Sequence, residues 1–170
     1  MAALSSLKSN RSLWQTVVMF SLGFWLSGML VLDALIMPSM YVSGMMAESE
    51  FASAGYMMFS TFNRIELLCA ALALTGLLAI FKMHKDGAPR RSAIILSSIL
   101  LIVASIDTYG LTPQMSALGM QLDWFSPIAE TPAAMDGMHA GYWALEAVKL
   151  VFAAWVLIWC YRDRQVTSAQ

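Results

Sequence analysis

Residues 140–161 read AGYWALEAVKLVFAAWVLIWCY. This run of 22 residues carries two charges, Glu146 and Lys149, three positions apart. At about 1.5 Å of rise per residue, a helix of this length covers the ~30 Å hydrocarbon core of a bilayer. The run lacks the polar–apolar alternation of a barrel strand, so it reads as a membrane helix. Three further stretches share its character, at about 13–37, 64–81 and 92–109, the second with an amphipathic extension back towards Phe51. Hydrophobic residues make up 59% of the 170 and charged residues 12%. Soluble domains hold about 45–50% and about 25% respectively. That balance, with a mean hydropathy of +0.65, excludes disorder, a coiled coil and an ordinary soluble domain. A net charge of −1 gives no basic field for nucleic acid.

The basic residues set an expected topology. Lys8 and Arg11 precede span one, Lys82, Lys85, Arg90 and Arg91 lie between spans two and three, and Arg162 and Arg164 follow span four. Eight of the ten basic residues thus fall on one side, which the positive-inside rule makes cytoplasmic. The outer connections carry Glu48, Glu50, Asp123, Glu130 and Asp136 and no Lys or Arg. The reading is an all-α integral membrane four-helix bundle with both termini cytoplasmic. Residues 1–12 form a cytoplasmic N-terminal segment, 13–161 the single transmembrane domain and 162–170 a cytoplasmic tail. Span one is too long for a secretory h-region and reads as a retained helix. Pro38 is expected to close it, and 39–60 to hold an interfacial helix. The stretch from Gly110 to Met138, with Pro113, Pro127 and Pro132, reads as an ordered outer cap. Trp14, Trp159 and Tyr161 suit an inner aromatic belt, and Tyr41, Tyr56, Tyr109, Trp124 and Tyr142 an outer one. No internal repeat is visible and no span is obviously broken.

Ionisable residues inside a membrane are rare and informative. Counting from the cytoplasmic ends at about 1.5 Å per residue, Asp33, Arg64, Glu66, Asp107, Glu146 and Lys149 all fall roughly 18–30 Å deep, in the outer half. Each of the four helices brings at least one charge to this level. His139, Trp143, Glu146 and Lys149 are spaced four, three and three apart and share a helical face, making His139, Trp143 and Glu146 ligand candidates and letting Glu146 pair with Lys149. Asn63, Glu66 and Cys69 share a face of span two. Arg64 points away from it, so its partner is Asp33, Asp107 or the interface. The six charges sum to −2, which is costly if buried. One or two carboxyls carry a proton, a cation sits there, or the outermost groups reach water. The set reads either as a salt-bridge network fixing bundle register or as a ligand, ion or proton site.

Fourteen methionines are present, eleven of them in the outer half, including Met135 and Met138 beside His139. Thioether with imidazole suits Cu(I) on an oxidising face, so Met135, Met138 and His139 form a candidate copper set. Methionine also packs flexibly in any core. His139 could equally ligate haem or chlorophyll, although the second histidine, His84, lies in the inner loop. Cys69 and Cys160 lie at different depths, which excludes a disulfide. No phosphate loop, GxSxG, HExxH or supported Ser-His-Asp arrangement is present.

The run GFWLSGMLVLDALIMPSMYVSGMM at 23–46, followed by FASAGYMMFSTFNRIELLCAALALTGLL at 51–78, resembles small four-helix membrane proteins of cyanobacteria, in a family of unknown function related to human transmembrane protein 205. Pro38, Gly55, Tyr56, Phe59 and His139 carry the resemblance, which covers about residues 13–160. More remotely the architecture is similar to the CopD-like superfamily, which includes copper-resistance proteins and haem-binding oxidases. Those oxidases hold haem with a histidine of the first helix, and span one here has none. The resemblance implies a four-helix fold in a thylakoid or plasma membrane and no reaction.

These readings favour a non-catalytic accessory subunit or assembly factor docking on a larger membrane complex, a photosynthetic one among the candidates, or on further copies of itself. Copper is the cofactor candidate, with chlorophyll, carotenoid or lipid contacts at a complex interface. A copper- or cofactor-binding protein using the outer Met and His is the alternative. A small proton-coupled transporter using Asp33, Glu66, Asp107 and Glu146 ranks third.

Overall fold

The computed structural model describes residues 2–45, 51–83, 91–122 and 133–168. Among them every regular element is helical. Helix α1 (Ala2–Val31) runs through a π turn at Leu32–Ile36 into α2 (Met37–Val42). Helix α3 covers Phe51–Met83, and α4 (Arg91–Ile106) runs through a second π turn at Asp107–Leu111 into α5 (Thr112–Leu122). Helix α6 covers Ala133–Ser168. Four continuous helical segments are long and apolar enough to cross a membrane: Asn10–Val42, Ser53–Met83, Arg91–Leu118 and Gly137–Asp163. Each exceeds its expected span. The extension of span two towards Phe51 is part of α3 itself, so no separate interfacial helix occupies the described part of 39–60. The segment from Gly110 to Leu122 prolongs span three as helix and 133–138 begin α6, while 123–132, with Pro127 and Pro132, lie outside the described residues.

Pro38 does not close span one. A proline within a helix lacks an N–H and clashes with the carbonyl four residues earlier. Here the clash is relieved by the preceding π turn, in which Met37 N–H reaches back five residues to Leu32 O. The helix ends only at Ser43, after which Gly44 takes a φ of +74°, the left-handed conformation glycine adopts without a Cβ penalty. The same device recurs in span three. Thr112 N–H bonds Asp107 O across five residues, and Pro113 follows two positions after the turn ends. Spans one and three therefore each contain a π turn without a break in the helix, each at an aspartate and just before a proline. The sequence pattern hid this, because a π turn adds one residue without breaking an apolar run.

The helices pack in a ring, α1 against α3, α3 against α4, α4 against α6 and α6 against α1. The diagonal pairs α1–α4 and α3–α6 have no backbone approach of their own, so long side chains fill the axis. On α1 the buried residues Val18, Leu22, Trp25 and Met29 are spaced four, three and four apart. On α6 Tyr142, Glu146, Lys149, Ala153, Val156 and Cys160 keep the same four-three rhythm, the seam of helices packed at shallow angles. Small residues let α1 and α3 approach closely. At Gly76 a Cβ would run into Val18 and touch Trp14. The seam divides the bundle into two zones. Val18, Leu22, Ala73, Leu77, Ala93, Leu100, Ala153 and Val156 make a dry core towards the basic end. There Arg11 ties α1 to Asp163 of α6 at 3.0 Å. Towards the end that carries the two prolines, the axis turns polar.

Candidate functional site

Four charged side chains meet on that axis. Glu66 comes from α3, Asp107 opens the second π turn, and Glu146 and Lys149 sit one helical turn apart on α6. All four are buried, Glu66, Asp107 and Lys149 at 0% exposure and Glu146 at 3%. Lys149 is the hub. Its Nζ donates to Glu66 Oε2 at 2.6 Å across the α3–α6 diagonal and to Glu146 Oε1 at 2.7 Å on its own helix. It also pairs with Asp107 Oδ2 at 2.9 Å, out of hydrogen-bond alignment. Trp25 of α1 supplies the fourth wall, its Nε1 donating to the other Glu66 oxygen, Oε1, at 2.7 Å. Every helix of the ring thus contributes a group.

A polar collar covers the side towards the prolines. Asn63, one turn before Glu66, donates through Nδ2 to Thr112 Oγ1 at 2.7 Å. Thr108, next to Asp107, donates to Ala104 O at 2.6 Å. Tyr142 sits one turn before Glu146, with its ring centroid 5.9 Å from Lys149 Nζ and edge-on to Phe59, placing the ring at cation–π range of the ammonium. Its hydroxyl neighbours Glu146 without completing a hydrogen bond. Asn63 Oδ1, Asp107 Oδ1 and Glu146 Oε2 also find no donor among the described residues.

Electrostatics makes this arrangement unusual. Three carboxylates surround one ammonium, so with all groups ionised the core carries a formal −2. Ligand oxygens of Glu66, Asp107 and Glu146 lie within 4.8 Å of one another. Like charges at that range in a low-dielectric interior repel strongly, and one tethered ammonium neutralises a single carboxylate. The site is thus built for additional positive charge, as protons on the carboxyls or as a small cation on their spare oxygens.

The sequence-derived candidates divide. Glu66, Asp107, Glu146 and Lys149 come together as expected, including the direct Glu146–Lys149 pair. Asp33 stands at the margin, half-exposed at the first π turn yet near enough to Glu146 and Lys149 to feel both charges. Arg64 does not join. It is exposed and pairs with neither Asp33 nor Asp107. The expected stripe of His139, Trp143 and Glu146 is corrected, because the seam passes through Tyr142 while Trp143 is 45% exposed and His139 is exposed. A four-three-four rhythm holds one face, and position 143 is turned about 100° from position 142. Tyr142 is accordingly buried rather than part of an aromatic belt. Of the copper candidates, Met138 is half-buried and His139 exposed at the start of α6, while the side chain of Met135 lies outside the described residues. Among the described residues the His, Cys, Asp and Glu set close enough to share an ion is Glu66, Asp107 and Glu146, without His139. Cys69 and Cys160 are both free and buried. The sequence reading missed the hydrogen-bonding roles of Trp25, Thr108 and Thr112. For Trp25 a signal existed, since its place on the 18-22-25-29 stripe sends the indole inward, where its N–H needs an acceptor.

Nothing among protein-family models, curated proteins or solved structures matches the chain.

Proposed function

We propose that the protein is a multi-pass membrane protein that takes up and releases protons at the Glu66–Asp107–Glu146–Lys149 cluster, as the working centre of a small proton-coupled carrier. The observation that carries this reading is the charge count, three buried carboxylates on one ammonium. A structural salt bridge needs one carboxylate per ammonium, and the surplus here is expensive unless it binds something positive. The two π turns support the same reading. Each lies within a continuous helix and carries an aspartate, and π turns gather at functional positions. Orientation follows from the basic residues, with both termini in the cytoplasm and the cluster in the outer half of the membrane. The resemblance to the transmembrane protein 205 family is compatible with this topology and adds a thylakoid or plasma membrane as its place.

The test is proton movement in reconstituted vesicles. An imposed pH gradient is expected to collapse several-fold faster with the protein than in empty vesicles, and Glu146→Gln is expected to return the rate towards the empty control. Infrared spectra should show a protonated-carboxyl band that weakens in the same variant. A gradient that decays as in empty vesicles, with no such band, overturns the proposal.

An accessory role in a larger membrane complex is the second reading, favoured by aromatic pairs on the outside of two neighbouring helices. Phe20 and Phe24 of α1 stack at 6.3 Å, and Trp155 and Trp159 of α6 meet edge to face at 5.7 Å, with Phe20 72% and Trp155 51% exposed. Gentle purification from the native membrane is then expected to retain larger subunits in stoichiometric amounts. A chain that elutes alone, without pigment in its absorption spectrum and without copper by metal analysis, counts against this reading and against the copper alternative together.

A further inference from the structure

An arginine on the outside of a membrane helix, with no ion pair among the described residues, needs an anion. Arg64 lies on α3 eleven residues from the start of the Ser53–Met83 span. It is exposed, and none of the ion pairs among the described residues includes it. A helix of that length measures about 46 Å against a hydrocarbon core of about 30 Å, which places the Arg64 backbone about 8 Å inside the apolar boundary. Side chains in a helix lean towards its N-terminus, so the Arg64 stem climbs back over Thr61 and Met57 towards the nearer membrane surface.

On that same strip of α3 the surface is concave. A groove of about 490 Å³, open to the outside, is lined by Leu32 of the first π turn and by Met57, Met58, Thr61, Phe62 and Ile65 of α3. Thr61 and Met57 lie one and two turns from Arg64 towards the helix start, so the guanidinium leans along the groove's edge. The lining is almost wholly apolar and runs along one strip of α3, where Arg64 is the charged residue; Asp33, next to Leu32, stands at the margin of the buried cluster.

We propose that this groove seats one anionic lipid, an acyl chain against Leu32, Met58, Phe62 and Ile65 and the headgroup phosphate on the Arg64 guanidinium. The occupant follows from charge and geometry. An arginine fork binds phosphate with paired, charge-assisted hydrogen bonds, and an acyl chain matches the almost wholly apolar lining along α3. The contact satisfies a cation that has no ion pair among the described residues, and it places a lipid beside the π turn that carries Asp33.

Native mass spectrometry of the protein released from nanodiscs of phosphatidylglycerol mixed with phosphatidylcholine tests this. One phosphatidylglycerol per chain is expected to stay bound in preference to phosphatidylcholine. Arg64→Gln should lower its retention about tenfold, the ratio that one charge-assisted contact supports. Thr61→Trp, which fills the groove and leaves the charge, should lower retention as well, with both variants eluting as monodisperse protein. Equal retention of the two lipids, or wild-type retention in Arg64→Gln, overturns the proposal. So does displacement by excess inorganic phosphate, which would make the site one for a free anion. A dimer abolished by Thr61→Trp with lipid binding unchanged assigns the groove to a second copy of the chain and overturns it too.

Discussion

Lys149→Met is expected to keep the protein from folding stably, although methionine nearly matches the apolar stem of lysine in volume. The ammonium is the one positive charge touching Glu66, Asp107 and Glu146, at 2.6, 2.9 and 2.7 Å. Removing one partner of a buried ion pair costs about 3–5 kcal/mol, because the remaining charge stays buried and unpaired. Here one substitution orphans three carboxylates on three helical segments, so the loss reaches at least the upper part of that range. Thermal unfolding in detergent, followed by loss of the monodisperse peak, measures it. Neutralising the acids in the same chain, with Asp107→Asn and Glu146→Gln added to Lys149→Met, is expected to recover most of the loss, since uncharged groups of similar shape can replace a buried ionic set at little cost. Asp107→Asn alone should be mild, because it lowers the surplus of negative charge. A Lys149→Met protein as stable as wild type would show that the ammonium does not hold the bundle together, and the charge argument for the site would fail with it.

The contrast between these variants separates structure from function. A network whose only task is register is served best by charge balance, so Asp107→Asn or Glu146→Gln would improve it. A proton-binding centre is served by imbalance, and the same variants would impair transport while leaving stability equal or higher. Stability and flux moving in opposite directions is the signature expected of the cluster.

Much of this was legible in the residues, and the physical reasons are specific. Apolar runs of membrane length define helices with little ambiguity, since in lipid only a helix or a closed barrel satisfies backbone polar groups and a barrel strand alternates polar with apolar residues. Depth along a helix follows from its rise, which is why Asp107, Glu66, Glu146 and Lys149 could be placed at one level. Rotation about the helix is less secure. The choice between Tyr142 and Trp143 depends on which face the neighbours cover, a tertiary fact, and the spacing 139-143-146-149 fits a helical face almost as well as 142-146-149-153. Arg64 shows the same limit, since its angle away from Glu66 is readable but the absence of an ion-pairing helix on that side is not. The π turns at Leu32–Ile36 and Asp107–Leu111 leave no compositional mark beyond the prolines that follow them. Those prolines suggested helix ends, and the backbone accommodates them instead.

Trp25 offers the second large effect, and it tests the wall of the site rather than its hub. The indole is 1% exposed, packs in the core of α1, and gives its N–H to Glu66 Oε1 at 2.7 Å. Trp25→Ala opens a cavity, which costs about 3–5 kcal/mol for a buried aromatic residue. It also strips a carboxylate oxygen of its donor, which adds about 1–3 kcal/mol. Trp25→Phe keeps most of the volume and deletes only the donor, so its loss should stay near that smaller range. The gap between the two variants, read from unfolding in detergent, divides packing from hydrogen bonding. Trp25→Phe also reports on function, because Glu66 would then be held by Lys149 alone and gain freedom to turn away from the cluster. Altered proton flux in a Trp25→Phe protein that folds normally would place the indole among the groups that position Glu66. If Trp25→Phe matches wild type in both stability and flux, Glu66 is fixed by the ammonium alone, and α1 contributes only its bulk.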